Sequence, residues 1–129
     1  MTTSDEWPEL RGLKVLAVED EFTILLMLEH MLADLGCRLV GSAGRMADAL
    51  ALTQTTAPDA AVLDVNLAGH SVYPVAERLA SRRVPIVFAT GYGIIGIEPA
   101  WRSCAILDKP YQAHDLAVAL TKALKTARD

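Results

Sequence analysis

The feature that most constrains the fold is an alternation of short apolar runs with longer amphipathic patterns. The apolar runs cover residues 14–18, 37–43, 59–65, 85–90 and 104–107. Each run is too short for a typical helix, and the runs lack the regular apolar–polar alternation of strands that face solvent on one side. They are therefore predicted to be strands of a sheet that is covered on both faces.

Amphipathic patterns with a helical period fill the segments between these runs. They cover residues 21–35, 45–56, 71–81 and 112–127. Gly36 is predicted to end the first helix, and Ser71 is predicted to cap the third at its N-terminus. The segment 94–101 differs because Gly96 and Pro99 both oppose helix formation, so a short or mobile fourth helix is expected there.

The repeated alternation of strand and helix predicts right-handed crossovers, and therefore a doubly wound α/β fold with a five-stranded parallel sheet. A chain of 129 residues is a single domain by length. No repeat or linker interrupts residues 13–129, which are predicted to form that domain after a loosely held N-terminal extension, residues 1–12.

Composition and charge exclude several classes of function. The net charge is −4 and there is no block or stripe of basic residues, which argues against binding to nucleic acid through counterion release. No apolar run approaches the roughly 20 residues that span a bilayer. The acidic, polar start of the chain is unlike a signal peptide. The protein is therefore predicted to be cytoplasmic, with no nucleic acid or membrane among its partners.

The cysteines and histidines carry no redox or metal-binding pattern. Cys37 and Cys104 lie far apart and outside any CxxC motif, so they are predicted to be buried, reduced thiols. His30, His70 and His114 share no ligand spacing, so no metal site is expected from them.

Polar side chains stand at the carboxyl ends of the predicted strands. They are Glu19 and Asp20 after the first strand, Asp64 in the third, Thr90 after the fourth and Lys109 after the fifth. The ends of parallel strands meet at one edge of a sheet, so these side chains are predicted to converge. Three carboxylates at close range cannot all ionise comfortably, but one lysine and one divalent cation balance their charge. Hard oxygen ligands predict Mg²⁺, and the whole set predicts a site for phosphoryl transfer.

Four segments at these strand ends resemble the signatures of the response regulator receiver domain of two-component signalling. They are "VLAVEDEF", "AVLDVNLAG", "VFATGYG" and "AILDKPY", and the resemblance extends over residues 13–127. The segment "FATGYG" also resembles the FATGUY group of stand-alone receivers, which often pair with atypical histidine kinases. The resemblance implies a CheY-like (βα)5 fold with the flavodoxin-like strand order 2-1-3-4-5.

The resemblance also implies a role for each acidic residue. Asp64 would be the phosphoacceptor, attacking the phosphorus of a kinase phosphohistidine, and would also be a metal ligand. Glu19 and Asp20 would hold Mg²⁺, one directly and one through water, and Asn66 would supply its backbone carbonyl. Glu19 stands where the family more often has aspartate, a familiar substitution.

Residues on the last two strands complete the implied site. Thr90 would hydrogen-bond a phosphoryl oxygen once Asp64 is modified, and Lys109 would pair first with Asp64 and then with the phosphoryl group. The bond between Lys109 and Pro110 is expected to be cis, as is typical of the family.

Further positions are expected to modulate the site. Asn66 and Tyr92 occupy positions that flank the attacking water in receivers, so Tyr92 is expected to obstruct water and influence the lifetime of the phosphate. Ile106 stands where most receivers carry a tyrosine or phenylalanine that follows the movement of the threonine. Signalling is therefore expected to run through ordering of the segment 91–103.

The function that the resemblance implies is that of a single-domain response regulator, a phosphoacceptor signalling protein with slow autodephosphorylation at most and not an enzyme. Its partners would be a sensor histidine kinase and a histidine phosphotransfer protein, and it would be a monomer or weak dimer. Phe22, Leu26 and Ala33 form an apolar stripe on the first helix, where such partners dock in receivers. The sequence does not decide how the signal leaves the protein. Its output could be contact with another protein, passage of the phosphoryl group to another protein, or action as a phosphate sink.

Two other classes of function differ from this sequence in where their characteristic residues lie. An aspartyl-nucleophile, Mg²⁺-dependent phosphohydrolase is the alternative, but such enzymes place the nucleophile on strand one, whereas the candidate here, Asp64, lies on strand three. A nucleotide-binding Rossmann-like module would need glycines in the first loop, where this chain has acidic residues.

Overall fold

The computed structural model describes residues 6–128, and it confirms the doubly wound α/β fold. Within these residues the chain forms seven strands: β1 Lys14–Val18, β2 Arg38–Ala43, β3 Ala60–Asp64, β4 Asn66–Leu67, β5 His70–Ser71, β6 Ile86–Thr90 and β7 Ala105–Asp108. Five of them make a sheet in the order β2-β1-β3-β6-β7, and every pairing in it is parallel. Counted along the chain, the order of these five strands is 2-1-3-4-5, as the resemblance implied.

In the described part of the chain, four α-helices cover the sheet on its two faces. They are α1 Phe22–Asp34, α2 Met46–Thr55, α3 Tyr73–Ser81 and α4 Ala113–Arg128. Alternate residues of each strand point to opposite faces, so Val15 packs in a core with α1 and α4, and Leu16 packs in a core with α2 and α3. This two-sided burial explains why the strand sequences are apolar without alternation.

The segment after β6 contains no α-helix. It forms two short 3-10 turns, Gly93–Gly96 and Pro99–Trp101, which is the short form of the expected fourth helix. Glycine at position 93 adopts a positive φ of 60°, a conformation that L side chains rarely adopt. Mobility of this segment stays a prediction.

A small antiparallel hairpin follows β3 and was not predicted. Strands β4 and β5 pair Asn66 with Ser71, and the turn between them places Ala68 and Gly69 at positive φ. The prediction that Ser71 caps the third helix is wrong, because Ser71 belongs to β5 and Val72 is the residue that precedes the helix. Strands of two residues have no periodicity that a sequence could reveal.

The N-terminal segment is held more tightly than predicted. Residues Pro8–Leu10 form a 3-10 turn, and Leu10 is fully buried in the core between the sheet, α1 and α4. Trp7 packs edge-on against the ring of His114 on α4, with ring centroids 5.6 Å apart. The description of this extension as loosely held is therefore wrong for residues 7–10, while the domain boundary after Gly12 stays a prediction.

The contact between Trp7 and His114 should measurably stabilise the docked segment. Aromatic pairs contribute about 0.5–1.5 kcal/mol beyond their buried area, so a double-mutant cycle with Trp7→Leu and His114→Leu should give a coupling energy in that range. Urea unfolding at fixed pH measures it. Additive effects of the two substitutions would show that the segment does not dock on α4 through these rings.

Candidate functional site

Three of the predicted site residues form an ion-pair cluster at the carboxyl ends of β1, β3 and β7. The Nζ atom of Lys109 lies 2.8 Å from Oε1 of Glu19 and 3.2 Å from Oδ2 of Asp64. The side chains of Glu19 and Asp64 are buried, and Lys109 is about one-fifth exposed. The parallel sheet therefore brings together residues that are separated by up to 90 positions in the sequence.

Asp20 completes a group of three carboxylates with Glu19 and Asp64. One carboxylate oxygen from each lies within 4.8 Å of the others, and Asp20 is exposed whereas the other two are buried. Backbone groups orient these acids: the N–H of Glu21 donates to Oε2 of Glu19, and the N–H of Ala68 donates to Oδ2 of Asp20. The hairpin β4–β5 is thereby tied to the loop after β1.

The surroundings of Asp64 favour its neutral form. Burial and then the charge of Glu19 raise the pKa of Asp64 from 3.8 to about 7, and Lys109 opposes this by attracting the ionised form. Burial lowers the pKa of Lys109, but its hydrogen bonds and charge attraction to Glu19 and Asp64 outweigh that and raise the pKa above its ordinary value. A second cation would relieve the crowding of negative charge.

Thr90 ends β6 beside this cluster, on the strand that pairs with β3. Its side chain is buried, and its Oγ1 atom accepts a hydrogen bond from the backbone N–H of Tyr92 at 3.1 Å. Tyr92 itself is 82% exposed, so its ring stands at the rim of the site and not in the core.

An open cleft of about 540 Å³ lies over these side chains. It is lined by, among others, Asp20, Asp64, Asn66, Thr90, Tyr92 and Lys109. The lining is therefore mostly polar or charged, and the cleft opens directly onto the carboxyl group of Asp64. Asp64 therefore forms part of the wall of a cleft that is open to solvent.

The remaining predicted residues differ in their surroundings: Asn66 lines the cleft, whereas Ile106 lies in the core. Asn66 donates its backbone N–H to Oδ1 of Asp64, and its side-chain Oδ1 accepts from the N–H of Gly69 in the hairpin turn. The peptide bond between Lys109 and Pro110 is cis, as expected. Ile106 is half-buried and packs in the core shared with α2 and α3.

The donor set fits a hard divalent cation. When all three carboxylates are ionised, they and one ammonium leave a net charge of −2 at the strand ends, and carboxylate oxygens are the ligands that Mg²⁺ prefers. The backbone donors to Glu19 and Asp20 were invisible to sequence reasoning, because an N–H carries no residue signature.

Comparison with known proteins agrees with this geometry. The sequence model of the response regulator receiver domain family matches residues 15–121. The chain belongs to the response regulator receiver domain family. No helix within residues 6–128 of this receiver combines the length and apolar content that crossing a bilayer requires.

Two curated relatives are regulatory proteins. The transcriptional regulatory protein PdtaR of Mycobacterium tuberculosis is 32% identical over 120 residues, which cover 90% of this receiver and 58% of PdtaR. The positive alginate biosynthesis regulatory protein of Pseudomonas aeruginosa is 34% identical over 122 residues, covering 90% of the receiver and 49% of that protein. The receiver thus spans about half the length of these relatives.

Two solved structures show the same fold. SdrG from Sphingomonas melonis Fr1 is 41% identical to the receiver with a TM-score of 0.79, and the alignment covers 88% of the receiver and 97% of SdrG. The response regulator PhyR from Brucella abortus is 26% identical with a TM-score of 0.80, covering 97% of the receiver and 54% of PhyR. The receiver is therefore similar to a chain of nearly its own length and to one half of a longer regulator.

Proposed function

We propose that this receiver is a single-domain response regulator in which Asp64 accepts a phosphoryl group from the phosphohistidine of a sensor histidine kinase. The observation that carries the proposal is the position of the Asp64 carboxylate, which lies beside Lys109 and within 4.8 Å of two further carboxylates, below an open polar cleft. Membership of the receiver family supports the same role.

The carboxylates of Glu19, Asp20 and Asp64 would hold Mg²⁺, together with the backbone carbonyl of Asn66. When bound, Mg²⁺ supplies positive charge against the phosphoryl oxygens. The site is preorganised, because the N–H groups of Glu21 and Ala68 donate hydrogen bonds that orient the carboxylates of Glu19 and Asp20. The donor set is the evidence for the ion.

The transfer forms one bond and breaks another. An ionised Asp64 oxygen attacks the phosphorus, the P–N bond of the phosphohistidine breaks, and the imidazole leaves with the electron pair of that bond, so that Asp64 becomes an acyl phosphate. The ammonium of Lys109 attracts the added negative charge, and the hydroxyl of Thr90 donates a hydrogen bond to a phosphoryl oxygen. Such a transition state requires alignment and charge stabilisation above all.

The proposed partners are the kinase and a histidine phosphotransfer protein, met in the cytoplasm by a monomer or weak dimer. Phe22, Leu26 and Met27 on α1 are exposed, which leaves an apolar surface next to the site for such a partner. A second solved structure of SdrG, which aligns to the receiver with 42% identity and a TM-score of 0.76, shows its BeF3-activated conformation. The same response to a phosphoryl analogue is proposed here.

Labelling with a small phosphodonor tests the proposal. Acetyl phosphate and Mg²⁺ should add one phosphoryl group per wild-type chain, detected by intact mass, and EDTA should prevent the addition. Asp64→Asn should remain unlabelled. Asp108→Asn is the matched control, because Asp108 is an exposed aspartate at the end of β7, and it should label like wild type. Equal labelling of Asp64→Asn would refute the proposal.

The same preparation distinguishes a phosphoacceptor from a phosphohydrolase. A phosphoacceptor is modified once and then releases phosphate slowly, whereas an aspartyl-nucleophile phosphohydrolase turns over a generic phosphate ester many times. We expect no sustained release of nitrophenol from p-nitrophenyl phosphate by the wild type. Rapid turnover that disappears in Asp64→Asn would instead assign the enzymatic function.

Tyr92→Ala should shorten the lifetime of the acyl phosphate severalfold. The ring of Tyr92 is 82% exposed at the rim of the cleft, where it obstructs the approach of water to the phosphoryl group. The decay of labelled protein after removal of acetyl phosphate measures this lifetime. Ile95→Ala is the control, because Ile95 is equally exposed on the next turn and does not line the cleft. An unchanged lifetime in Tyr92→Ala would remove this role.

A further inference from the structure

The hairpin β4–β5 closes with a two-residue turn whose backbone conformation is unfavourable for its first residue. Leu67 pairs with His70, and Ala68 and Gly69 between them have φ values of 52° and 87°. Positive φ at both central positions matches the twist of a hairpin, and glycine, asparagine and aspartate are the residues that usually adopt it. For alanine the Cβ atom makes this conformation costly, so the turn holds Ala68 under strain.

The rest of the hairpin is anchored, so the turn has a fixed position relative to the sheet. Leu67 is 1% exposed in the core that contains α2 and α3. The side-chain Oδ1 of Asn66 accepts the N–H of Gly69 at 2.9 Å, and the N–H of Val72 donates to the carbonyl of Val65 at 2.9 Å. The turn is therefore a supported extension of β3 beyond the edge of the sheet.

The strained alanine supplies a backbone donor to Asp20. The nitrogen of Ala68 lies 3.1 Å from Oδ2 of Asp20, which precedes it by 48 positions. Asp20 is the exposed member of the three carboxylates, and an exposed side chain loses rotamer freedom when it must hold an ion in one geometry. The hydrogen bond restricts that freedom beforehand. Because a carboxylate has a second oxygen, Asp20 can accept this N–H and still bind a cation.

We propose that Ala68 is a positioning residue whose backbone N–H holds Asp20 in place as a ligand and thereby sets the affinity of the site for Mg²⁺. This inference rests on the metal site of the proposed function. The hydrogen bond persists in the loaded site, because the N–H and the cation use different oxygens of Asp20. The position requires a residue that has an N–H and accepts positive φ. Proline meets neither condition, since it lacks the N–H and its ring fixes φ at about −65°.

Substitutions in the turn test whether this N–H sets the affinity. Mg²⁺ alone is titrated into ¹⁵N-labelled protein, and the amide shifts of residues 19–21 report its binding. Ala68→Pro removes the donor and should weaken the affinity by about tenfold, the lower end of the loss when a partner of a metal ligand is removed. Ala68→Gly keeps the donor and relieves the strain, so its affinity should stay within about twofold of wild type.

Arg83→Pro is the matched control for the disturbance of the backbone. Arg83 is also exposed, has a φ of 61° and donates its N–H to the carbonyl of Ala80, but it lies at the amino edge of the sheet, opposite the site. It should lower the thermal midpoint and leave the affinity for Mg²⁺ within about twofold of wild type. A loss of less than about threefold in Ala68→Pro, or an equal loss in Ala68→Gly or Arg83→Pro, overturns the inference.

The amide proton of Ala68 in wild type gives a second test that needs no substitution. Its chemical shift should depend only weakly on temperature, as for a hydrogen-bonded N–H, both in EDTA and at saturating Mg²⁺. A strong temperature dependence in either condition overturns the inference, even if Ala68→Pro does not fold. Absence of any shift at residues 19–21 when Mg²⁺ is added to wild type would instead contradict the metal site of the proposed function, so the two failures are distinguishable.

Discussion

Replacement of Lys109 by methionine should slow labelling by acetyl phosphate by on the order of 10²-fold, the usual cost of removing one charge-stabilising group from a reacting centre. Nζ of Lys109 is within 3.2 Å of Asp64 and 2.8 Å of Glu19. Without it, the charge that the phosphoryl group brings to the cluster is no longer countered by the ammonium group of this side chain. Initial labelling rates at saturating Mg²⁺ measure the effect.

A second cause acts in the same direction. Lys109 lowers the pKa of Asp64, which burial and Glu19 raise to about 7, so its removal raises that pKa further. In the Mg²⁺-free protein, less of the nucleophilic carboxylate is then present at neutral pH. Lys109→Arg keeps the charge and is the control, since it should retain more of the rate. A rate of Lys109→Met within twofold of wild type, in folded protein, would contradict this role.

The free energy of unfolding of Asp64→Asn should be about 1–3 kcal/mol higher than that of wild type at pH 8 in EDTA. The substitution removes one of two carboxylates that compete for Lys109 in a buried site, and asparagine can still accept a hydrogen bond from Nζ. Urea unfolding of the two proteins measures the difference. Asp108→Asn, with the same loss of charge at an exposed position, should change stability by less than about 0.5 kcal/mol.

The difference in unfolding free energy between Asp64→Asn and wild type should depend on pH. The pKa of Asp64 is raised from 3.8 to about 7 by folding, so the native state holds a proton that the unfolded state has lost between these values. The contribution of this group to wild-type stability is fully present below about pH 4 and is lost as the pH rises through 7. The difference between the proteins should therefore be small near pH 4, grow up to pH 7 and stay constant above it. A difference that shrinks as the pH rises would contradict the raised pKa.

Mg²⁺ should reduce the difference in unfolding free energy between Asp64→Asn and wild type at pH 8. A ligand that binds only the native state stabilises it according to its concentration and affinity. Wild type offers three carboxylates, whereas Asp64→Asn offers two, so saturating Mg²⁺ should raise the stability of wild type more.

The sequence predicts those parts of the fold that depend on local patterns. The five sheet strands and four helices follow from runs and periods, because each element must bury one or two apolar faces. The convergence of Glu19, Asp64 and Lys109 follows from the parallel sheet alone, since such a sheet gathers its strand ends on one edge.

The parts that could not be predicted depend on contacts between distant backbone groups. The docking of Leu10 was missed because a short extension with few apolar residues has no period that reveals its partner. The hydrogen bonds from Ala68 to Asp20 and from Glu21 to Glu19 involve main-chain atoms, which every residue possesses.

The position of the phosphoryl group is the most direct test of the central claim. Labelled wild-type protein should be reduced with borohydride, which converts an aspartyl phosphate to homoserine, and the chain should be digested and sequenced by mass spectrometry. We predict homoserine at position 64, formed only when Mg²⁺ was present during labelling. Homoserine at another aspartate, such as Asp20 or Asp108, or equal conversion of Asp64 in EDTA, would contradict the account.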